Sequence, residues 1–374
     1  MNSAADCQRN ALIASCLRFP VHSSQTHKVR LVIVPKLALQ YVASLVLGGV
    51  MVWAAFRGED WSAFFERAGR MNLSFLWAYL GLYSAAHALR LLRWGVLIRG
   101  LGAVKWSDVF AIGAVGYMCI MVLPLRLGEF VRPYLVRGKA GVTASGAMAT
   151  VLVERVIDGL LLVAMFFFFV SFLPDSGHPA VATVRLSGYL AGSFFGGALA
   201  ILVAAYFRRR WTVGLILSLG KRVHPGLAEK AVRLLEAFLD GLRILPDRPR
   251  ISLFIASTFV YWGALGACMK LMADAANMND LTWLGAYALL AILTVGIMVP
   301  AGPGFSGTFE LAVKAGLSLL VLSDESMANS AVYILVLHGS QFIIQVAFGG
   351  IFVVTGRINL ARLRDRSTQS TSEH

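Results

Sequence analysis

Three short runs combine ionisable side chains with chain-breaking residues inside apolar surroundings. The run PLRLGEFVR at 124–132 sets Arg126, Glu129 and Arg132 three residues apart, which places them roughly along one side of a short helix. Arginine grips a phosphate bidentately, and a helix beginning near Gly128 turns free N–H groups and a positive dipole end toward the same anion. The alternative is a membrane-surface loop that meets lipid headgroups nonspecifically. In VLVERVIDG at 151–159, Glu154 and Asp158 stand one helical turn apart with Arg155 beside them. They either neutralise Arg126 or Arg132 in a buried network or carry a proton. The run PAGPGFSGTFELAVK at 300–314 offers Pro303, Gly304 and Gly307, then Glu310 and Lys314 at the i,i+4 spacing of a salt bridge. Its glycines permit tight turns or close ligand approach. It is not a phosphate-binding Walker loop, because the Gly-Lys-Ser/Thr ending is missing. No His, Ser or Cys nucleophile stands beside these carboxylates in sequence and no Asp-rich metal motif appears, so no catalytic residue, metal or cofactor is assigned.

The elements that position these runs must be membrane helices. Of the 374 residues, 57% are hydrophobic and 14% charged, with a mean hydropathy of +0.70, whereas soluble domains carry about 25% charge. Blocks at 37–56, 147–173 and 330–356 are each long enough, at about 1.5 Å per residue, to cross a hydrocarbon core of about 30 Å. They are continuous rather than alternating, which excludes the strands of roughly 10 residues found in outer-membrane barrels. The expected fold class is all-α, a polytopic helical membrane protein. The net charge of +14 is explained by cytoplasmic loops and anionic headgroups, and nucleic acid is set aside as a partner. Cys7, Cys16, Cys119 and Cys268 have no metal-like spacing, and the last two fall in apolar stretches as small hydrophobes. Residues 1–34 read as a loose cytoplasmic tail without a cleavable signal peptide.

Six full spans are expected, at about 35–56, 73–95, 147–173, 184–207, 251–272 and 330–356, within one transmembrane domain at 35–356. The link at 208–250 holds ten basic residues against four acidic ones, which assigns it to the cytoplasm. Both termini, including the tail at 357–374, are cytoplasmic by the same rule. The apolar regions 107–140 and 281–322 are broken by PLRLGE and PAGPGFSG. Reading the first as a single crossing places the basic link outside against the positive-inside rule, and each region is expected to be a re-entrant hairpin that returns to its own side. Pro and Gly free backbone groups that cannot face lipid, and such breaks belong where the chain lines a watery cavity or is buried in protein. Repeat one (35–173) and repeat two (184–356) then follow one order of elements with opposite orientation, the plan of many secondary transporters. His87, Arg90 and Arg93 on the second span are either a site wall or, for the arginines, side chains snorkelling to the cytoplasmic surface. His338, Gln341 and Gln345 form a polar stripe facing the bundle.

The runs LPLRLGEFVRPYLV, ATVLVERVIDGLLL and VPAGPGFSGTFELAV resemble the flippase-like family that includes the transmembrane domain of lysylphosphatidylglycerol synthase and stand-alone homologues. The resemblance covers roughly 40–355. It implies a domain that flips lipids, among them aminoacylated, glycosylated or polyprenyl-linked ones. By motif it points to Arg126, Gly128 and Glu129, to Glu154, Arg155 and Asp158, and to Pro303, Gly304, Gly307 and Glu310. The usual Pro-Gly-Gly turn reads PAGPGFSG here, and no soluble aminoacyl-transferase domain follows the last span, so synthesis of that lipid is not expected.

The leading expectation is a lipid transporter of the bacterial inner membrane. Arg126, Gly128, Glu129, Arg132, Arg155, Pro303, Gly304, Gly307 and Glu310 bind an anionic or phosphate-containing headgroup. Glu129, Glu154, Asp158, Glu310 and Lys314 form a charge network or couple a proton. The rivals are a membrane-embedded transferase or phosphatase and a lipid-binding regulatory subunit. Further partners considered are a second copy of the chain and a lipid-synthesising enzyme.

Overall fold

The computed structural model describes residues 41–170, 247–299, 302–320 and 322–358, with scattered positions between 186 and 214. The tails expected at 1–34 and beyond 358, most of the fourth span at 184–207 and most of the link at 208–250 lie outside the described residues. The chain divides into two compact units, 1–43 and 44–374. Of the first, only the helical residues Tyr41–Ala43 are described, and all contacts below belong to the second.

Every described element is helical, as the apolar periodicity requires. Helix α1 is Tyr41–Phe56 and α2 is Trp61–Gly69, bent from it by 81°. The bend follows the end of α1 at Phe56, through a turn in which Gly58 has φ +87°, and Asp60 caps the next helix, accepting the N–H groups of Ser62 and Ala63. Asn72 likewise caps α3, Leu73–Ile98. Helix α4, Trp106–Val122, ends before Pro124 with Leu123 extended, as the residue preceding a proline prefers. A 3-10 segment, Pro124–Phe130, leads into the six-residue α5, Val131–Val136, and α6 is Ala144–Val170.

In the second half α7 is Arg248–Ala275, α8 is Trp283–Gly296, and a 3-10 turn at Pro303–Phe305 precedes α9, Thr308–Leu319. The short α10, Asp324–Ala328, leads into α11, Ser330–Val354. By length and composition α7 and α11 can cross a membrane, and α1 with α2 qualifies if the bent pair counts as one span. Helices α4 and α8, 17 and 14 residues long, reach only about 25 and 21 Å at 1.5 Å per residue, short of a bilayer core.

Helix α3 packs along α7. Helix α4 packs on α11 and α8 on α6; α5 lies against α6 and α9 against α11. The second arm of each broken region folds back on its first, α5 on α4 and α9 on α8. The apolar core between them holds Tyr79, Met272, Leu289, Val313 and Leu337, all buried.

Candidate functional site

Two buried ion pairs anchor the middle of the bundle. Arg132, on α5, donates from Nη1 to Glu154 Oε2 on α6 at 2.9 Å and to the Tyr117 hydroxyl on α4 at 2.9 Å. Tyr117 in turn donates to Glu154 Oε1 at 2.8 Å, and both charged side chains are 0% exposed. Gly116 makes room for this: a Cβ there falls 2.2 Å from Arg132 Cγ. One turn further along α6, Asp158 accepts from Arg93 Nη2 at 2.5 Å and from Trp262 Nε1 at 3.1 Å, while Arg93 also donates to Thr258 Oγ1 at 2.9 Å. A charge buried among apolar helices is tolerable only with such partners.

Above these pairs lies a cavity of about 180 Å³ lined by Arg90, Arg126, Glu129, Arg155 and Gly304, among others. The 3-10 segment between α4 and α5 carries Arg126 in the left-handed backbone region, φ +57°, a conformation costing about 1–2 kcal/mol for a residue with a Cβ. Its guanidinium donates to the Ile297 carbonyl at the end of α8 at 2.8 Å and lies 4.9 Å from the Phe305 ring centre. The two broken regions therefore meet through this side chain. Glu129 stands between Arg126 and Arg155 at 3.7 Å from each. Arg155 also approaches Glu154 at 3.6 Å, yet its buried Nε and Nη2 atoms have no hydrogen-bond partner among the described residues. Arg90 stacks over Tyr117 at 3.9 Å. The guanidinium groups of Arg90, Arg126 and Arg155 are near enough to repel one another.

The opposite wall comes from the second break and α11. His338 places Nδ1 2.6 Å from Glu310 Oε1 and Nε2 2.7 Å from the Gly304 carbonyl, and stacks on Phe309 at 4.3 Å. Glu310 Oε2 accepts the Gly307 N–H at 2.7 Å, so one carboxylate ties the start of α9 to α11. Gly304 itself has φ +64°, which glycine adopts without penalty. Gln341 and Gln345 line the same cavity, and Gln345 Nε2 donates to the Tyr83 hydroxyl at 2.9 Å.

The cavity collects Arg126, Glu129, Arg155, Asp158 and Gly304, as their motifs suggest, and the stripe on α11 faces the bundle. Other expectations need correction. Arg132 points away from the cavity into the Glu154 pair: 3-10 geometry aligns Arg126 with Glu129 at i,i+3, but Arg132 follows after the chain has changed to α-helix. Gly128 opens no helix, since α5 starts at Val131. It is pressed onto α4, where a Cβ would lie 2.2 Å from the Ile120 nitrogen. Lys314 does not pair with Glu310; it donates to the Ala55 carbonyl and lies 3.6 Å from Glu59, while Glu310 takes His338. Pro303 and Gly307 shape the turn without lining the cavity: Pro303 starts the 3-10 turn, and Gly307, φ +92°, packs against Gly48 of α1. Glu310 likewise reaches the cavity only through His338. Neither Arg90 nor Arg93 snorkels. Arg93 is 0% exposed and Arg90 lines the cavity. That Asp158, within an apolar span, needs a cation follows from its burial, but the choice of Arg93 comes from the packing of α3 on α7.

A helical membrane protein with broken helices meeting at an arginine-lined cavity is the class these features define. The family described as the lysylphosphatidylglycerol synthase TM region matches residues 41–349, and the chain belongs to it. Glycosyltransferase AglD of Haloferax volcanii is 22% identical over 275 residues, 67% of this chain and 44% of that protein. The chain therefore spans less than half the length of this curated relative. No solved structure matches.

Proposed function

We propose that the protein moves a lipid with a phosphate-containing headgroup between leaflets, holding the phosphate among Arg90, Arg126 and Arg155. The observation that carries this reading is the juxtaposition of three like-charged guanidiniums in one cavity where two broken regions touch. Glu129 lies between two of them at 3.7 Å and Asp158 is taken by Arg93, so the three guanidiniums are under-compensated until a further anion joins them. The contacts also support an inverted repeat. Exchanging α3 with α7, α4 and α5 with α8 and α9, and α6 with α11 turns α4 on α11 into α8 on α6, α5 on α6 into α9 on α11, and α5 on α4 into α9 on α8, as expected of two related halves. In this reading the chain resides in the bacterial inner membrane with both termini cytoplasmic, and the cavity alternates between leaflets as one half rocks on the other.

The test is reconstitution in liposomes carrying a fluorescent short-chain phosphatidylglycerol, with loss of outer-leaflet signal read by an impermeant quencher. Faster exchange than in protein-free liposomes is expected, with lipid mass unchanged; equal rates overturn the proposal. The name of the Haloferax relative favours a second reading, transfer of a glycosyl group onto the bound lipid from a sugar-nucleotide or polyprenyl-phosphate-sugar donor, whose carrier is released. A new, heavier lipid in the same liposomes supplied with such donors establishes it. Orientation is checked with single cysteines in a cysteine-free background. Positions 141 and 228 are expected to resist, and 177 and 326 to accept, an impermeant maleimide added to intact cells.

A further inference from the structure

The charges around the cavity do not balance. Arg90, Arg93, Arg126, Arg132 and Arg155 face Glu129, Glu154 and Asp158, an excess of two positive charges among these described residues. The Glu310–His338 pair adds none, because each ring nitrogen faces an oxygen and the two hydrogen bonds need a proton each. The carboxylates are also already engaged. Asp158 is taken by Arg93, Glu154 by Arg132 and Tyr117, and Glu129 is shared by Arg126 and Arg155. Across the cavity Glu310 is taken by His338. Two aromatic faces of the cavity, which offer a second way to hold a cation, are covered by the protein's own arginines: Tyr261 by Arg90 and Arg93, and Phe305 by Arg126. The buried acceptor that lacks a hydrogen bond on the cavity wall, Gln345 Oε1, is neutral, so an ammonium group meets no carboxylate that is not already shared with an arginine or histidine. By contrast, Nε and Nη2 of Arg155 approach Glu129 and Glu154 only to 3.7 and 3.6 Å and make no hydrogen bond among the described residues.

We propose that the cavity selects lipids whose headgroup ends in a doubly charged phosphate, a phosphomonoester or diphosphate, and disfavours headgroups that carry an ammonium. This rests on the reading of the cavity as a phosphate site. It separates the chain from what its family's description suggests, because lysylphosphatidylglycerol joins a singly charged phosphodiester to a lysyl group bearing two ammonium groups. Two negative charges neutralise the excess, one leaves it half compensated, and a net positive headgroup increases it.

Native mass spectrometry of the full chain, titrated with phosphatidic acid, phosphatidylglycerol and lysylphosphatidylglycerol of identical acyl chains, tests this. Phosphatidic acid is expected to bind at least about tenfold more tightly than phosphatidylglycerol at pH 8, with lysylphosphatidylglycerol weakest. The preference should shrink toward pH 5, because a phosphomonoester loses its second charge near about pH 6 and a phosphodiester does not. Both lipids meet the same arginines, carboxylates and His338–Glu310 pair, so the ratio isolates the ligand's titration from the protein's. Arg90→Gln, checked as monodisperse with unchanged Tm, should lower the preference severalfold. Equal binding of the two phospholipids, lost together in Arg126→Ala, overturns the selectivity and leaves the phosphate site standing. Tightest binding of lysylphosphatidylglycerol, or a preference that ignores pH and Arg90→Gln, also overturns it. If no lipid binds saturably, the proposed function falls as well.

Discussion

The two broken regions have similar backbone logic and opposite chemistry. Each has a short helix, a proline-led 3-10 segment with left-handed residues, and a second helix folded back on the first. In the first, the segment projects Arg126 and Glu129 into the cavity and is anchored below by the Arg132–Glu154 pair. In the second, the segment contributes a glycine carbonyl and an aromatic ring, and is anchored to α11 by the His338–Glu310 contact. In the proposed function, ligand charge falls to one half and the tie to a long helix, seen in the His338–Glu310 contact, to the other. A duplicated framework can divide binding from movement this way, because equivalent positions need not carry equivalent side chains.

The sharpest way to break this comparison is to remove the anchor of the first region. Glu154→Ala leaves Arg132 fully buried without its counter-ion, which costs about 3–5 kcal/mol. It is expected to lower Tm severely or abolish monodisperse purification in detergent. Replacing both partners, Arg132→Met with Glu154→Leu, should recover most of the loss, since a buried pair is often replaceable by apolar groups of similar volume. A single Glu154→Ala variant with parental Tm shows that the pair is not an anchor. By contrast Arg126→Ala should spare the fold and strike binding. Losing a charged hydrogen-bond partner for a buried phosphate costs about 2–5 kcal/mol, or roughly 30-fold or more in lipid affinity, with Tm little changed. Lysine at 126 should rescue only in part, because it lacks the bidentate fork. Parental lipid affinity in Arg126→Ala removes Arg126 from the site.

Much of this division was legible in the sequence, and the reasons are local. Helix type follows from continuous apolar blocks, and both breaks follow from Pro and Gly inside them, because these residues act on the backbone next to them. That Arg126, Glu129 and Arg155 share a cavity follows from the cost of burying charge. Which charge meets which does not. Arg132 chooses Glu154 and Arg93 chooses Asp158 through the phase change between the 3-10 segment and α5 and the packing of α3 on α7. Those depend on tertiary geometry that spacing alone does not encode. The i,i+4 rule pairs Glu310 with Lys314, but α1 and α11 bring nearer partners to each. His338 lies 28 residues from Glu310, beyond any local rule.

A smaller effect separates tie from site in the second region. His338→Phe keeps the ring stacked on Phe309 while removing both nitrogen contacts to Glu310 and Gly304. Lipid affinity is expected to stay within about threefold of parental, since the phosphate-binding groups are in the other half, while the exchange rate in liposomes changes severalfold. Each lost hydrogen bond is worth about 0.5–1.5 kcal/mol, so Tm should fall modestly. If affinity drops as far as in Arg126→Ala, the two regions do not divide the work.

The smallest expected effect lies outside both breaks and serves as their pH control. Asp280, in the turn between α7 and α8, accepts the Ser323 N–H at 2.6 Å and the Ser326 hydroxyl, joining that turn to α10. Partial burial pushes its pKa up, but the hydrogen bonds from Ser323 and Ser326 outweigh this and leave it below the ordinary carboxylate value. A carboxyl with a lowered folded value stabilises the protein above its unfolded value, near about 4, and that stability is lost as pH falls through the folded one. Asp280→Asn should therefore show a small Tm deficit at pH 7 that closes as pH drops below about 4. Lipid affinity should be parental throughout, because Asp280 touches neither the cavity nor its anchors. A deficit that is constant with pH means that the charge on Asp280 is not what stabilises the turn. A change in lipid affinity shows instead that the end of the second half communicates with the site, and that binding is not confined to the first.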